Sequence, residues 1–329
     1  MKFKKIVAIL LILVMCFSFA ACDKSSDSGS KSEGNKKEQV KIPDEVGELT
    51  PLLYKVTDDN GNVAWLFGSI HTGEEWFYPL PDYVLNALDN ADSLAVEFDI
   101  LAFEKDINAQ MEMITGFIIN DGRTIKDFLP DDVYNDAKKI LEDNGVYNST
   151  LDYYIPVMWS DFIEEILYEE IDVKLDLGID KHLINRAYKN KQEVLGVESA
   201  EFQFNMMTNY SPELQALLLK ETIKGYNEPD EVKAELNKML IAWAKGNEEE
   251  LGKILSEEEE FESDAEKALY EEYNNAMIVE RNKNMTDWAE NALKSGKEVF
   301  ICVGAAHIVG EGAMAEALRD RGYTVELVK

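Results

Sequence analysis

Residues 64–71 read Ala-Trp-Leu-Phe-Gly-Ser-Ile-His and residues 300–307 read Phe-Ile-Cys-Val-Gly-Ala-Ala-His. Each is an apolar run of strand character followed by Gly-x-x-His. The chain has three histidines, His71, His182 and His307, and 19 glycines in 329 residues. A glycine three positions before both of these histidines would arise by chance in roughly 0.3% of such sequences, so accident is a poor explanation. Glycine at the end of a strand lets the chain turn tightly, which places each His just beyond the strand's carboxyl edge. In open α/β sheets that edge is where ligands bind. Two imidazoles brought together there would form either a metal site or an acid/base pair. Taken singly, each would more simply be a hydrogen-bonded histidine closing a strand.

Outward from these junctions, the first belongs to a hairpin. Leu52–Val56 and Val63–Gly68 are strand-like and flank the turn sequence Asp58-Asp59-Asn60-Gly61. Pro81-Asp82 starts a helix, Ser93–Phe98 is a strand, and a mostly helical section runs from Ile100 to Ile171, broken at Gly122-Arg123 and restarting near Pro130. Gly178-Ile179-Asp180 opens a further helix with Asp180 as its expected N-cap, followed by a short strand over Val194–Val197. Residues 199 to 295 read as several helices. The second junction then begins a closing strand, helix and strand over Glu298–Val303, Gly312–Arg321 and Thr324–Val328. Strands alternating with helices at both ends of the chain predict an α/β fold, a central, mainly parallel sheet flanked by helices, with a large helical insertion.

Carboxylates reach the same edge. The run Leu94-Ala95-Val96-Glu97-Phe98-Asp99 ends in acids at i and i+2, which point to one face, and Val194–Glu198 ends another strand in an acid. An acid that closes a buried strand needs a partner, and a divalent cation or an arginine is the usual one. Arg281 and Arg186 are the structural cations that Glu97 and Glu198 could take instead of a metal. His182 lacks both the strand and the glycine and reads as a surface residue. The acidic runs Glu248–Glu250 and Glu257–Glu260 read as a solvated face. Gly-x-Ser-x-Gly, P-loop and Cys-x-x-Cys patterns are absent, which removes serine-hydrolase, nucleotide-binding and thiol-redox readings.

A net charge of −31, from 33 basic and 64 acidic residues, argues against a nucleic-acid partner and against attraction to anionic lipid headgroups. The first 21 residues have the form of a secretory signal, with Lys2, Lys4 and Lys5 ahead of the apolar stretch Ile6–Phe19. That stretch ends in Phe19-Ala20-Ala21-Cys22, which resembles the bacterial lipobox. Cys22 would then carry the lipid anchor on the extracytoplasmic side of a cell membrane; the alternative is an ordinary signal cleaved after Ala21. Residues 22–49 have little apolar content and read as a flexible tether, so the folded domain is expected over residues 50–329. Cys302, inside an apolar strand, reads as a buried and inert thiol.

The two Gly-x-x-His motifs, Val96-Glu97-Phe98-Asp99, Gly178-Ile179-Asp180, residues 195–203 (Leu-Gly-Val-Glu-Ser-Ala-Glu-Phe-Gln), Arg281-Asn282 and the closing segment from Val303 to Val325 resemble the TraB/GumN family. That family includes bacterial lipoproteins and is related to the Tiki metalloproteases. The resemblance spans residues 50 to 329 and implies a divalent-metal-dependent peptidase. It assigns His71, His307 and Glu97 to the metal, which would be Mn, Co or Zn. On this expectation Glu97 is a third ligand or a general base, and Arg281 stabilises the developing oxyanion. Asp99 and Glu198 would orient the imidazoles, and the partner would be a peptide or protein substrate. The alternative is a non-catalytic protein that captures a peptide signal, a metal or haem in the same cleft.

Overall fold

Strand Val63–Ser69 (β2) lies parallel to strand Val299–Gly304 (β5), with Gly68 opposite Val303 and Ser69 opposite Gly304. The two Gly-x-x-His motifs are therefore in register side by side. In the computed structural model, which describes residues 40–256, 261 and 263–328, this pair sits inside a six-stranded sheet. The other strands are Leu53–Thr57 (β1), Ser93–Val96 (β3), Glu193–Gly196 (β4) and Thr324–Leu327 (β6), and the order across the sheet is β4-β3-β5-β2-β1-β6. The first four strands in that order run parallel. β1 is antiparallel to both β2 and β6, as the hairpin turn requires.

Strands β3 and β5 are buried along their whole length, and β2 is buried from Leu66 onward. That burial explains the near-continuous apolar sequences, because a parallel sheet covered on both faces has no solvent side to alternate with. The principal helices are Asp82–Asn90 (α1), Asp131–Asp143 (α2), Pro156–Ile171 (α3), Ile179–Asn190 (α4), Ala200–Thr208 (α5), Pro212–Asn227 (α6), Pro229–Lys245 (α7), Asp264–Asn274 (α8), Glu280–Lys294 (α9) and Met314–Asp320 (α10). Helix α1 connects β2 to β3 and α10 connects β5 to β6, and the bulk of the remaining helical material enters between β3 and β4 and between β4 and β5. It packs around two apolar cores. One surrounds the sheet and takes in Phe67, Phe300 and Ile301. The second lies within the helices, with Trp159, Leu218, Phe204 and Tyr273.

Helices α8 and α9 are joined through a π-helical turn, Asn275–Val279, with right-handed backbone on both sides, so they form one rod. Its first half sends Tyr273 and Met277 into the helical core, and its second half sends Met285, Ala289 and Leu293 into the sheet core.

The packed body begins a little before Thr50, since Val46 and Leu49 are already buried against the sheet core. The signal sequence, Cys22, the tether up to residue 39 and the acidic residues 257–260 lie outside the described residues. Glu248–Glu250 are exposed and Cys302 is buried, as expected. Among the described residues no helix is long and apolar enough to cross a membrane.

Candidate functional site

The four parallel strands end at one edge of the sheet, and each delivers a polar side chain there. Across that edge the order is Glu198 after β4, Glu97 after β3, His307 after β5 and His71 after β2. Gly304 ends β5 and caps the short helix Ala305–Ile308, so the chain turns there as expected, whereas Gly68 acts by a different means. Neither Gly68 nor Gly304 has a left-handed backbone. At Gly68 the missing side chain matters because a Cβ there would lie 2.9 Å from the Cα of Ala305. The glycine thus allows a close approach of two strand ends, where the sequence suggested a tight turn.

Arg281, at the start of α9, is fully buried and binds both glutamates. Its Nη2 donates to Glu97 Oε2 at 2.7 Å and to Glu198 Oε2 at 2.8 Å, and its Nε donates to Glu198 Oε1 at 2.9 Å. Nη1 reaches the carbonyl of Met277 in the π turn at 3.3 Å. All three guanidinium nitrogens are therefore engaged. Gln203 of α5 completes the clamp, with its Nε2 2.9 Å from Oε2 of each glutamate. Glu97 Oε1 accepts from the backbone N–H of Gly304 at 2.8 Å and lies 4.0 Å from His307 Nε2. Burial alone would raise the Glu97 carboxyl. The guanidinium, then the two imidazoles, outweigh burial and hold it well below the usual carboxylate range.

Each imidazole is fixed through its Nδ1. His71 Nδ1 is 2.9 Å from Asp180 Oδ2, and His307 Nδ1 is 2.7 Å from Asn282 Oδ1. Asn282 Nδ2 in turn donates to the carbonyl of Gly312 at 3.2 Å, which settles the orientation of that amide. With an acceptor on Nδ1, the neutral form of each ring leaves Nε2 as a bare lone pair. His71 Nε2 is buried and has no hydrogen-bond partner. The two rings differ electrostatically. Burial would lower the pKa of His71, but the Asp180 carboxylate more than compensates and raises it. Burial, followed by the Arg281 charge, pushes His307 down to about 3.

Asp180 is not the N-cap of α4. That position belongs to Gly178, and Asp180 lies inside the first turn, facing His71. The start of α4 is tied to the junction after β2 by a hydrogen bond from Ile179 N–H to the carbonyl of Ile70 at 3.0 Å. The structure thus brings together His71, His307, Glu97, Glu198 and Arg281. It leaves out Asp99, whose Oδ1 caps the turn at Ala102 N–H at 2.9 Å and whose Oδ2 takes the Tyr188 hydroxyl. Glu198 meets Arg281 and Gln203 and touches neither ring, so the imidazoles are oriented by Asp180 and Asn282 instead. Arg186, the other expected cation, pairs with Asp89 at 2.5 Å. His182 is half-buried and stacks on Tyr78 with ring centroids 4.2 Å apart. Burial and the nearby Arg186 lower its pKa to about 4.

Among the described residues no three His, Cys, Asp or Glu side chains converge closely enough to enclose a metal ion by themselves. The donors nevertheless suit one. Two imidazoles are anchored through Nδ1, which is the outer support that metal-binding histidines require, and the Nε2 of His307 lies 4.0 Å from Glu97 Oε1. Glu97 and Glu198 share the Arg281 guanidinium, and Asp180 pairs with His71. The three carboxylates exceed the one guanidinium by two negative charges when His71 is neutral and by one when it is protonated, a costly arrangement without a further cation.

The chain is similar to the uncharacterized protein YbaP of Escherichia coli strain K12, with 23% identity over 261 residues, covering 77% of this chain and 87% of YbaP. It is similar as well to an uncharacterized protein of Treponema pallidum strain Nichols, with 22% identity over 326 residues, covering 95% of this chain and 90% of that protein. No solved structure matches it. The TraB/PrgY/gumN family profile matches residues 52–327, from the start of the hairpin to the last strand, and on that match the chain belongs to the TraB/PrgY/gumN family.

Proposed function

We propose that the protein is a divalent-metal-dependent hydrolase of peptide bonds, held at the extracytoplasmic face of a bacterial membrane by a lipid on Cys22. The observation that carries the catalytic part is the pair of open imidazole nitrogens, each anchored through Nδ1, beside a buried carboxylate cluster with a negative excess. His71 Nε2, His307 Nε2 and Glu97 Oε1 would hold the ion. A divalent ion there supplies Lewis acidity toward a scissile carbonyl.

The remaining roles follow from the geometry. A carboxylate held far below its ordinary pKa is a weak base, so Glu97 serves better as a ligand than as a proton acceptor. Four of the five N–H groups of Arg281 are engaged, which leaves one N–H on Nη1 as the group that could meet a developing oxyanion. The part of the engaged groups is to hold Glu97 and Glu198 in place and keep them ionised. Asp180 and Asn282 set the rings and their tautomers, and Gln203 bridges the two carboxylates.

The test is turnover of a mixed peptide library by metal-stripped protein, alone and with added Mn2+, Co2+ or Zn2+. Metal-restored cleavage that disappears in both His71→Ala and His307→Ala supports the proposal. Metal binding without cleavage of any peptide favours capture over catalysis. Release of the Cys22→Ala protein from membranes after a salt wash tests the anchor.

A further inference from the structure

A cavity of about 250 Å3 opens beside His307, between the π turn and the loop that follows β5. We propose that this cavity takes an uncharged, apolar residue of an extended peptide substrate. The proposal rests on the hydrolase reading and names the substrate class for it. The cavity is smaller than the roughly 300–1,000 Å3 of sites that enclose a whole small ligand, so it suits a side chain and a stretch of backbone.

Its inner end is shared with the site. Ala306, the residue before His307, and Asn282, which anchors the His307 ring, both line it. An occupant's adjoining peptide bond would therefore lie next to the imidazole. The helical wall carries Tyr270, Ile278 and Val279, and Val279 is 51% exposed although nothing in the fold requires an apolar residue there. The opposite wall is main chain. Gly310 and Gly312 have φ of 118° and 70°, and nothing lies within 4 Å of where a Cβ would stand, so no side chain screens this wall. The Gly312 N–H is held by Glu316, its carbonyl by Asn282 and the Gly310 carbonyl by the Ala313 N–H, so the Gly310 N–H and the main chain of the exposed Glu311 are the groups an occupant would meet. Apolar side chains on one wall and the main chain of Gly310 and Glu311 on the other match the two needs of a bound peptide, a pocket for its side chain and partners for its backbone. Glu311 at the rim disfavours an acidic occupant.

The experiment titrates the full chain with N-acetylated, C-amidated hexapeptides whose third residue is Ala, Leu, Phe, Asp or Lys, following binding by fluorescence anisotropy and cleavage by mass spectrometry. The Leu and Phe peptides should bind roughly tenfold or more tightly than the Ala and Asp peptides. Val279→Asp, at an exposed position, should erase that preference while keeping the thermal response to metal, and Tyr270→Ala should weaken it. His71→Ala should lose cleavage and metal response yet keep the preference. A flat binding profile in the wild type, or a preference that survives both cavity variants, overturns the subsite. Wild-type protein that selects apolar peptides but neither cleaves them nor responds to metal overturns the hydrolase reading and leaves the subsite standing.

Discussion

Arg281 and Asn282 are neighbours in the chain, yet they serve opposite halves of the site. Arg281 Nη2 is 2.7 Å from Glu97 Oε2, while Asn282 Oδ1 is 2.7 Å from His307 Nδ1. One turn of α9 therefore fixes both the carboxylate that would contribute an oxygen and the ring that would contribute a nitrogen. The separation between those two donors is set by a single stretch of backbone.

Removing the guanidinium leaves two buried carboxylates without a cation. Arg281→Met should destabilise the fold by about 3–5 kcal/mol, the range found when one partner of a buried pair is deleted. Arg281→Lys should rescue little, because a single ammonium cannot span both glutamates. Urea denaturation of the three proteins measures this. A loss below about 1 kcal/mol, the level of an exposed pair, would show that the clamp is open to solvent.

If His71 and His307 share one ion, metal-stripped protein should gain thermal stability on adding Mn2+, Co2+ or Zn2+, because the ion binds only the folded state. His71→Ala and His307→Ala should each lose the gain. His182→Ala should keep it, since that ring stacks on Tyr78. Equal responses from all three variants would make the paired histidines purely structural.

The anchors of the rings should matter almost as much as the rings. Asp180→Asn and Asn282→Ala are each expected to weaken metal binding by roughly 10–100-fold, as loss of an outer hydrogen-bond partner does elsewhere. Competition with a chromogenic chelator reads this directly. Asp99→Asn should leave affinity unchanged, its oxygens being taken by Ala102 N–H and Tyr188.

Glu97→Gln keeps the shape of the side chain and removes its charge. As a ligand, Glu97 would carry metal affinity and turnover down together. A fall in turnover of about 10²-fold with affinity intact would instead identify it as the general base.

Glu164 of α3 supplies a separate test, away from the site. It is buried in the helical core, where its neighbours are the hydroxyls of Thr222 and Tyr168, both at 3.3 Å. Burial raises its pKa from 4.5 to about 8. The folded state therefore holds this proton more tightly than the unfolded state. Its contribution to stability is complete below about pH 4.5 and is lost as pH rises toward 8. Glu164→Gln should flatten that part of the profile and raise the melting temperature most at pH 8 and above. Calorimetry from pH 5 to 9 checks it, and a wild-type-to-variant difference that stays constant with pH would refute it.

Much of this architecture is legible in the sequence, because strand ends are local features. Apolar runs closed by Gly-x-x-His or by a glutamate state where a parallel strand stops, and those four endings contain four of the five side chains at the centre of the cluster. The pairing of both glutamates with Arg281 was available as an alternative to a metal. The partners of the imidazoles were not legible. Asp180 carries the local signature of a helix cap, and only the bond from Ile179 to Ile70 turns it toward His71. Gln203 and Asn282 are helical residues whose faces depend on packing between helices, and the π turn that precedes Arg281 leaves no mark in composition. Asp99 misled for a related reason, since alternation along a strand ceases to hold once the strand ends at Val96.

The position of β5 bears on when the cluster at the sheet edge can assemble. The strand lies between β2 and β3, yet it is made some two hundred residues after them. Until residues 299–304 arrive, β2 and β3 have no common neighbour and His71 and Glu97 belong to separate pieces of chain. Pairings over such sequence distances form slowly, after local helices are in place. A chain that stops short of residue 299 therefore holds His71 on one piece and Glu97 with Glu198 on another, with no strand between them to bring the two together.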